Sequence, residues 1–205
     1  CFPGDELGFK RTVLVGVERQ NGTCMATAIP EKGGMGTFGV DKCEEFIEEN
    51  GDRERDLIIK SDQESSAKFL VKEVVERGKE GRRLVEESPV KSSGSNGICE
   101  RGVQEVEGQL RALFTGLGDR LGRKLDARER SVAFIPEYPA YLRNRLAQGE
   151  DGKVAYERVK GKRPTVLGLE FGEKVLYKVR LGSKLEKINA RWAYGIFVGV
   201  RRRSN

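Results

Sequence analysis

Residues 57–111 decide the fold, and they read LIIKSDQESSAKFLVKEVVERGKEGRRLVEESPVKSSGSNGICERGVQEVEGQLR. The stretch opens with an apolar run, Leu57-Ile58-Ile59, which predicts a buried strand that ends just before Asp62. It closes with a Ser/Gly-rich loop that leads into a helix whose first turn carries Glu100. A carboxylate at a strand end and a second on a nearby helix can converge on a divalent metal ion of the kind used in phosphoryl transfer. The stretch therefore predicts a metal site with Asp62 and Glu100 as ligands.

The residues between and after the two carboxylates predict alternating helices and strands. Apolar residues recur at helical spacing from Phe69 to Val75 and predict a helix over 65–77, and Leu84-Val85 predict a strand over 82–86. From Ile98 onward, apolar residues again recur at helical spacing, so this helix is expected to bury one face. The order of elements is typical of a mixed α/β domain.

Upstream of this stretch, two apolar segments predict a β-hairpin. They cover 12–17 and 23–29, and Asn21-Gly22, a strong hairpin signal, lies between them. A helix is predicted over 37–49, ended by Asn50-Gly51.

Downstream, the composition shifts after Gly149. A helical stretch over 127–146 precedes the shift, and Pro136 and Pro139 are expected to kink or split it. Short strands within 166–179 and 190–200 predict a small β unit. We therefore expect a core domain at 1–150 and a basic, β-rich segment at 151–205.

Composition excludes several classes of protein. The chain has 205 residues, 37% hydrophobic and 34% charged, which fits one soluble globular core with a small appendage. No apolar run reaches the roughly 18 residues of a membrane span, and no signal peptide is visible, so no membrane partner is expected. The chain begins with Cys1 rather than Met, so we expect it to be part of a longer protein.

The four cysteines show no C-x-x-C spacing, and the chain contains no histidine. A zinc finger built from Cys and His is therefore excluded within these residues, as is Ser-His-Asp or Cys-His catalysis. We expect the cysteines to be reduced thiols in an intracellular protein.

The net charge of +6 is unevenly distributed. Residues 151–205 hold 14 Lys/Arg against 5 Asp/Glu, a net of +9, whereas residues 1–150 hold 24 against 27, a net of −3. The basic segment predicts a polyanion contact outside the core. Simple solubility is the alternative explanation.

Four segments together resemble the catalytic core of a DDE integrase, most closely that of copia-type LTR retrotransposons. They are KSDQE at 60–64, SPVKSSGSNGICER at 88–101, AYERVKGKRP at 155–164 and GIFVGV at 195–200. Asp62 matches the second acid of that family and Glu100 the third, with Asn96 and Arg101 in the flanking signature. The resemblance covers nearly the whole chain.

The resemblance implies an RNase H-like fold, with a mixed five-stranded sheet flanked by helices and a small basic β-rich unit after it. It also implies the chemistry of DNA integration, which is metal-dependent 3′-end processing followed by strand transfer. Two Mg²⁺ (or Mn²⁺) ions would serve this chemistry, with Asp62 and Glu100 as catalytic metal ligands. Integrases work as multimers, so a homo-oligomer is a further expectation.

The first acid of the family has no clear match. Phe2-Pro3-Gly4 resembles the turn that follows it, which places the expected Asp before Cys1, and Asp5 is interpreted as a loop residue. We therefore expect this chain to bind metal poorly and to be catalytically deficient. The alternatives are a catalytically inactive, integrase-derived nucleic-acid-binding domain and an RNase H-like nuclease, the latter leaving 155–200 unexplained.

Basic and polar residues near these motifs are candidate DNA contacts, with solvated surface charge as the alternative for each. Trp192 and Tyr194 lie near the C-terminal Arg triplet and are candidates for stacking on bases. The triplet also resembles a nuclear-localisation patch, which favours a nuclear location. The candidate nucleic-acid-binding residues are Lys91, Asn96, Arg101, Arg111, Arg201, Arg202 and Arg203.

Overall fold

The computed structural model of the chain describes residues 12–29, 37–87, 97–126, 128–179 and 191–200. Strands and helices alternate along these residues, so the protein is a mixed α/β protein. The elements are β1 (Thr12–Val17), β2 (Cys24–Ile29), α1 (Phe38–Asn50), β3 (Leu57–Ser61), α2 (Ser65–Arg77), β4 (Arg83–Glu87), α3 (Gly97–Leu121), a 3₁₀ helix (Arg130–Phe134), α4 (Glu137–Leu146), α5 (Ala155–Lys160), β5 (Lys174–Lys178) and β6 (Trp192–Ile196).

β1 and β2 form the antiparallel hairpin that the Asn-Gly signal predicts, with Val17 opposite Cys24. Gly22 in the turn has φ 73°, a left-handed conformation that glycine adopts without strain. The Glu18 carboxylate accepts a hydrogen bond from the Asn21 backbone N–H at 2.5 Å and closes the turn. The hairpin is therefore fixed by local turn chemistry.

β3 and β4 form a parallel pair, with Ile58 opposite Leu84. The helix predicted between them is found as α2 over the expected residues, and β4 begins one residue later than predicted. Arg83 at the start of β4 is buried, and its guanidinium donates to the Val74 carbonyl at 2.6 Å and to Glu44 of α1. This side chain ties β4, α2 and α1 together.

α3 packs on β1 and provides one wall of the hydrophobic core. Gly102 makes the close approach possible, because a Cβ built there would lie 2.6 Å from Val17 Cγ2. The buried core residues are Cys24, Ala26, Val106, Leu110, Leu117, Leu125, Val132, Ile135, Tyr138, Ala140, Tyr141 and Phe171.

Pro136 splits the helical stretch predicted over 127–146, whereas Pro139 lies near the start of α4 and does not interrupt it. Pro136 lies between the 3₁₀ helix and α4, at the N-cap position of α4, where proline suits the first turn. Tyr138 in α4 contacts Phe171 and Phe197, with ring centroids 6.0 and 5.6 Å apart. Segments on both sides of the β5–β6 hairpin therefore pack back on the core.

The C-terminal β unit is smaller than the sequence predicts. β5 covers only the second half of the expected 166–179 strand, and β6 covers the middle of the expected 190–200 strand. Val166 and Phe171 precede β5 and pack against the core instead of joining a sheet. A short helix, α5, also precedes this unit.

The expected five-stranded sheet is not formed by the described residues. Their strands pair as β1–β2, β3–β4 and β5–β6, three sheets of two strands each. Each described strand therefore has one partner, and the RNase H-like arrangement is not established by the pairing.

Candidate functional site

Asp62 is the first residue after β3 and lies at the surface. Its Oδ1 accepts a hydrogen bond from the Glu64 backbone N–H at 3.3 Å, in a turn that leads directly into α2. The apolar residues of β3 and their parallel pairing with β4 fix where the strand ends. The strand therefore presents a carboxylate at its carboxyl end, as the sequence predicts.

Glu100 lies in the first turn of α3 and is also exposed. Backbone N–H groups without partners and the helix dipole favour negative charge at such a position. Two residues further on, Gly102 contacts Val17 of β1. The position of Glu100 therefore depends on how closely α3 approaches the hairpin.

The Cys99 side chain is partly buried and directly precedes Glu100 in α3. Its pKa is raised above the ordinary thiol value, mainly by burial and further by the negative charges of Asp62 and Glu100. Asp62 and Glu100 are separated by a helix and a strand in sequence, yet both act on this one thiol. Both carboxylates therefore contribute to the electrostatic environment of the Cys99 thiol.

The chemistry of these side chains suits a hard divalent cation. Carboxylate oxygens are the ligands that Mg²⁺ and Mn²⁺ prefer, and a thiol with a raised pKa stays protonated and is a poor ligand for either ion. Among the described residues, no group of three or more Cys, Asp or Glu side chains could hold a metal ion. Asp62 and Glu100 would hold the ion, and a further ligand would be needed.

Two of the predicted nucleic-acid contacts, Arg101 and Arg111, lie in the part of the chain that the structure describes. Arg101 is exposed beside Glu100. Arg111 is exposed on α3 and lies 3.9 Å from the Glu107 carboxylate in a surface ion pair. The remaining candidates lie outside the described residues; they are Lys91, Asn96, Arg201, Arg202 and Arg203. Asp5 also lies outside them.

The sequence analysis did not identify Cys99, nor the contact of Arg145 in α4 with two tyrosine rings. Arg145 is buried, with its guanidinium 4.0 Å from the Tyr141 ring centroid and 4.7 Å from that of Tyr156. It lines a cavity of about 340 Å³ between α1, α4 and α5. The i, i+4 spacing of Tyr141 and Arg145 is the signal that could have found the first contact.

Comparison with known proteins relates the fold to a viral assembly. No protein-family model matches the chain, and no curated protein matches it. It is similar to a chain in the cryo-EM structure of the simian T-cell lymphotropic virus intasome in complex with the PP2A regulatory subunit B56 gamma, with 15% identity and a TM-score of 0.55. The match covers 95% of this chain and 64% of that chain. At this identity the likeness concerns the fold alone.

None of the helices among the described residues is long and apolar enough to cross a bilayer.

Proposed function

We propose that the protein is part of an integrase-like DNA strand transferase in which Asp62 and Glu100 are two of the three catalytic metal ligands. The observation that carries the proposal is the position of the two carboxylates, with Asp62 directly after β3 and Glu100 in the first turn of α3. The pKa of Cys99, raised mainly by burial and further by both carboxylates, supports it. The fold-level likeness to a viral intasome chain supports it. The substrate would be DNA, processed at its 3′ ends and then joined to target DNA.

The described residues have defined parts in this chemistry. Asp62 and Glu100 would hold Mg²⁺ or Mn²⁺ through carboxylate oxygens. When bound, such ions activate the attacking oxygen and stabilise charge on the leaving oxygen. Arg101, exposed next to Glu100, is placed to contact a phosphate of the bound strand, and the N-terminal end of α3 favours the same anion.

The RNase H-like sheet belongs to the same proposal. The β1–β2 hairpin and the β3–β4 pair contribute four strands, and one further strand between them would complete a five-stranded sheet. In the resembled family the first acid lies on such a strand. The self-association and nuclear location expected from the resemblance also remain part of the proposal.

A second candidate function is a catalytically inactive, integrase-derived nucleic-acid-binding domain. The observation that favours it is the absence, among the described side chains, of a group of three acids or cysteines that could hold a metal. On this hypothesis, Asp62 and Glu100 would be ordinary surface carboxylates.

Manganese titration of the chain separates the two candidates. We expect weak Mn²⁺ binding that Asp62→Asn or Glu100→Gln abolishes, because each change replaces one of two negatively charged carboxylate ligands with a neutral amide. Glu107→Gln is the matched control, since Glu107 lies on the same helix and pairs with Arg111 at the surface. Equal binding by all four proteins would exclude the metal site and favour the inactive domain.

A strand-transfer assay with Mn²⁺ and labelled DNA ends tests the activity itself. We expect the chain alone to be deficient because one acid is missing. Robust activity that Asp62→Ala abolishes would contradict that deficiency, although it would support the site.

A further inference from the structure

The β5–β6 hairpin has one face that is both aromatic and basic. Residues opposite each other in an antiparallel pair lie on the same face, and the register places Lys178 opposite Trp192 and Leu176 opposite Tyr194. Trp192 is 58% exposed and Tyr194 is 69% exposed. We call this surface the aromatic face; it consists of Lys174, Leu176, Lys178, Trp192, Tyr194 and Ile196.

The other face of the same hairpin is different. It carries Val175 opposite Gly195 and Tyr177 opposite Ala193. The Tyr177 ring lies over Gly195, where an added Cβ would be 3.1 Å from a ring carbon. Tyr177 is itself 50% exposed, but it lies across its own hairpin, on the face opposite to Trp192 and Tyr194.

The hairpin is held in place at one end. The Phe197 backbone N–H donates to the Glu173 carbonyl at 2.8 Å, and the Gly172 N–H donates to the Phe197 carbonyl at 2.7 Å. The Phe197 ring then packs edge-on against Tyr138 of the core. The aromatic face is therefore presented by an anchored element.

Positive charge lies beside both exposed rings. The Lys174 ammonium is 4.1 Å from the Tyr194 ring centroid, and Lys178 is directly opposite Trp192. The nearby acids have other partners, since the Glu173 carboxylate accepts from the Glu170 backbone N–H and Glu170 pairs with Arg120. A ligand on this face would meet two lysines, within a segment whose net charge is +9.

We propose that the aromatic face binds single-stranded nucleic acid by stacking unpaired bases on Trp192 and Tyr194. Trp192 and Tyr194 are two residues apart on β6, so their side chains are about 7 Å apart. At this spacing the two rings can stack on neighbouring bases. Lys174 and Lys178 would contact the phosphates. A duplex hides the base faces between neighbouring pairs, so the surface favours single strands. The site needs neither Asp62 nor Glu100 and goes beyond the proposed strand transfer.

Trp192 fluorescence tests the proposal, because Trp192 is the sole tryptophan of the chain. We expect oligo(dT) to quench the emission on binding, with the duplex of the same length binding more weakly and quenching less. Binding without quenching, or duplex binding as tight as single-strand binding, would overturn the proposal. Unchanged quenching in Asp62→Asn would separate this site from the metal site, whereas loss of quenching there would overturn their independence.

Two tyrosine variants provide a matched comparison by fluorescence anisotropy with labelled oligo(dT). Tyr194→Ala should weaken binding by roughly 5- to 150-fold, the range for losing one stacked base, while Tyr177→Ala on the opposite face should leave it unchanged. Lys174→Gln should reduce the salt dependence of binding by about one phosphate contact.

Equal effects of the two tyrosine changes would contradict the proposal. Sedimentation at the same concentrations identifies the competing occupant: a dimer that Trp192→Ala dissociates would show that the face binds a second copy, and would overturn the proposal.

Discussion

The β1–β2 hairpin and the β3–β4 pair are both apolar and two-stranded, yet they differ in how much of their surface is covered. Met25 in β2 is 2% exposed, whereas Ile58 in β3 is 68% exposed. α3 packs on β1 and α4 on β2, so the first four residues of β2 are buried and β1 is half-buried. α2 contacts β3 and β4, but the face that carries Ile58 and Leu84 remains in solvent. Burial of a strand therefore depends on the long helices that pack on it.

The two carboxylates of the candidate metal site lie on elements that differ in burial. Glu100 belongs to α3, which is tightly packed on the hairpin through Gly102 and Val17. Asp62 follows β3, the strand of the exposed pair. One carboxylate is therefore positioned by the core and the other by a partly uncovered sheet, so changes to either sheet should affect the site differently.

The largest difference in stability is expected between two variants that each truncate one apolar side chain, one in each sheet. Met25→Ala is expected to lower the free energy of unfolding by about 2–5 kcal/mol, because it leaves a cavity in a closed core. Ile58→Ala should cost less than about 1 kcal/mol, because the side chain is largely in water. Urea unfolding of both variants measures the contrast, and comparable losses would show that the face around Ile58 is covered in solution.

Two glycines of α3 should respond with opposite sign to the same change. Gly102→Ala brings a Cβ against Val17 and should destabilise the protein by about 1–3 kcal/mol, less a helix-propensity gain of up to about 1 kcal/mol. Gly116→Ala meets no atom within 4 Å and should stabilise it by up to about 1 kcal/mol. Thermal unfolding measures both, and stabilisation by Gly102→Ala would contradict the close contact between α3 and β1.

The pKa of Cys99 reports whether the two halves of the site meet. Asp62→Asn and Glu100→Gln should each lower it, because each removes a negative charge that disfavours the thiolate. The pKa should stay above the ordinary value even in the double variant, because burial is the main cause of the shift. Rates of Cys99 alkylation against pH, followed by peptide mass spectrometry, measure it.

Glu107→Gln is the control for this titration and should leave the Cys99 pKa unchanged. A response to only one of the two carboxylates would show that the other lies elsewhere.

The smallest effect is expected for the ion pair on the exposed sheet. Lys60 lies 2.7 Å from Glu86, and its ammonium lowers the pKa of that carboxyl. A lowered folded-state pKa contributes stability above about pH 4.3, the ordinary glutamate value. This contribution is lost as the pH falls through the lowered pKa. Glu86→Gln should therefore reduce acid sensitivity slightly, by less than either packing change alters stability.

Unfolding midpoints at neutral and acidic pH, at low and high salt, test the ion pair. A large or salt-independent effect of Glu86→Gln would show that the pair is buried in solution.

Local signals explain why much of the fold could be predicted. The Asn21-Gly22 turn, Gly51 at the end of α1 and Pro136 at the start of α4 each act within a few residues, so the sequence contains their full cause. The position of Asp62 after a strand and of Glu100 in a first helical turn follows from the same kind of signal.

Other features depend on contacts that are distant in sequence. Residues 166–173 have the apolar character of a strand, but Phe171 packs on Tyr138 instead of pairing. Ile58 has the same apolar character and yet remains exposed. The pKa of Cys99 is raised mainly by burial, and Asp62, which is distant in sequence, adds to the shift. The spacing of apolar residues predicts helices and strands, but it does not show which other part of the chain packs on them.

A crystal structure of the protein soaked in Mn²⁺, with the ion located by its anomalous scattering, would show whether Asp62 and Glu100 form one metal site. We expect an ion bound by oxygens of both side chains, at about 2.0–2.2 Å as for a small hard cation. Carboxylates that point apart, with Glu100 paired to Arg101 and the ion elsewhere, would contradict this expectation.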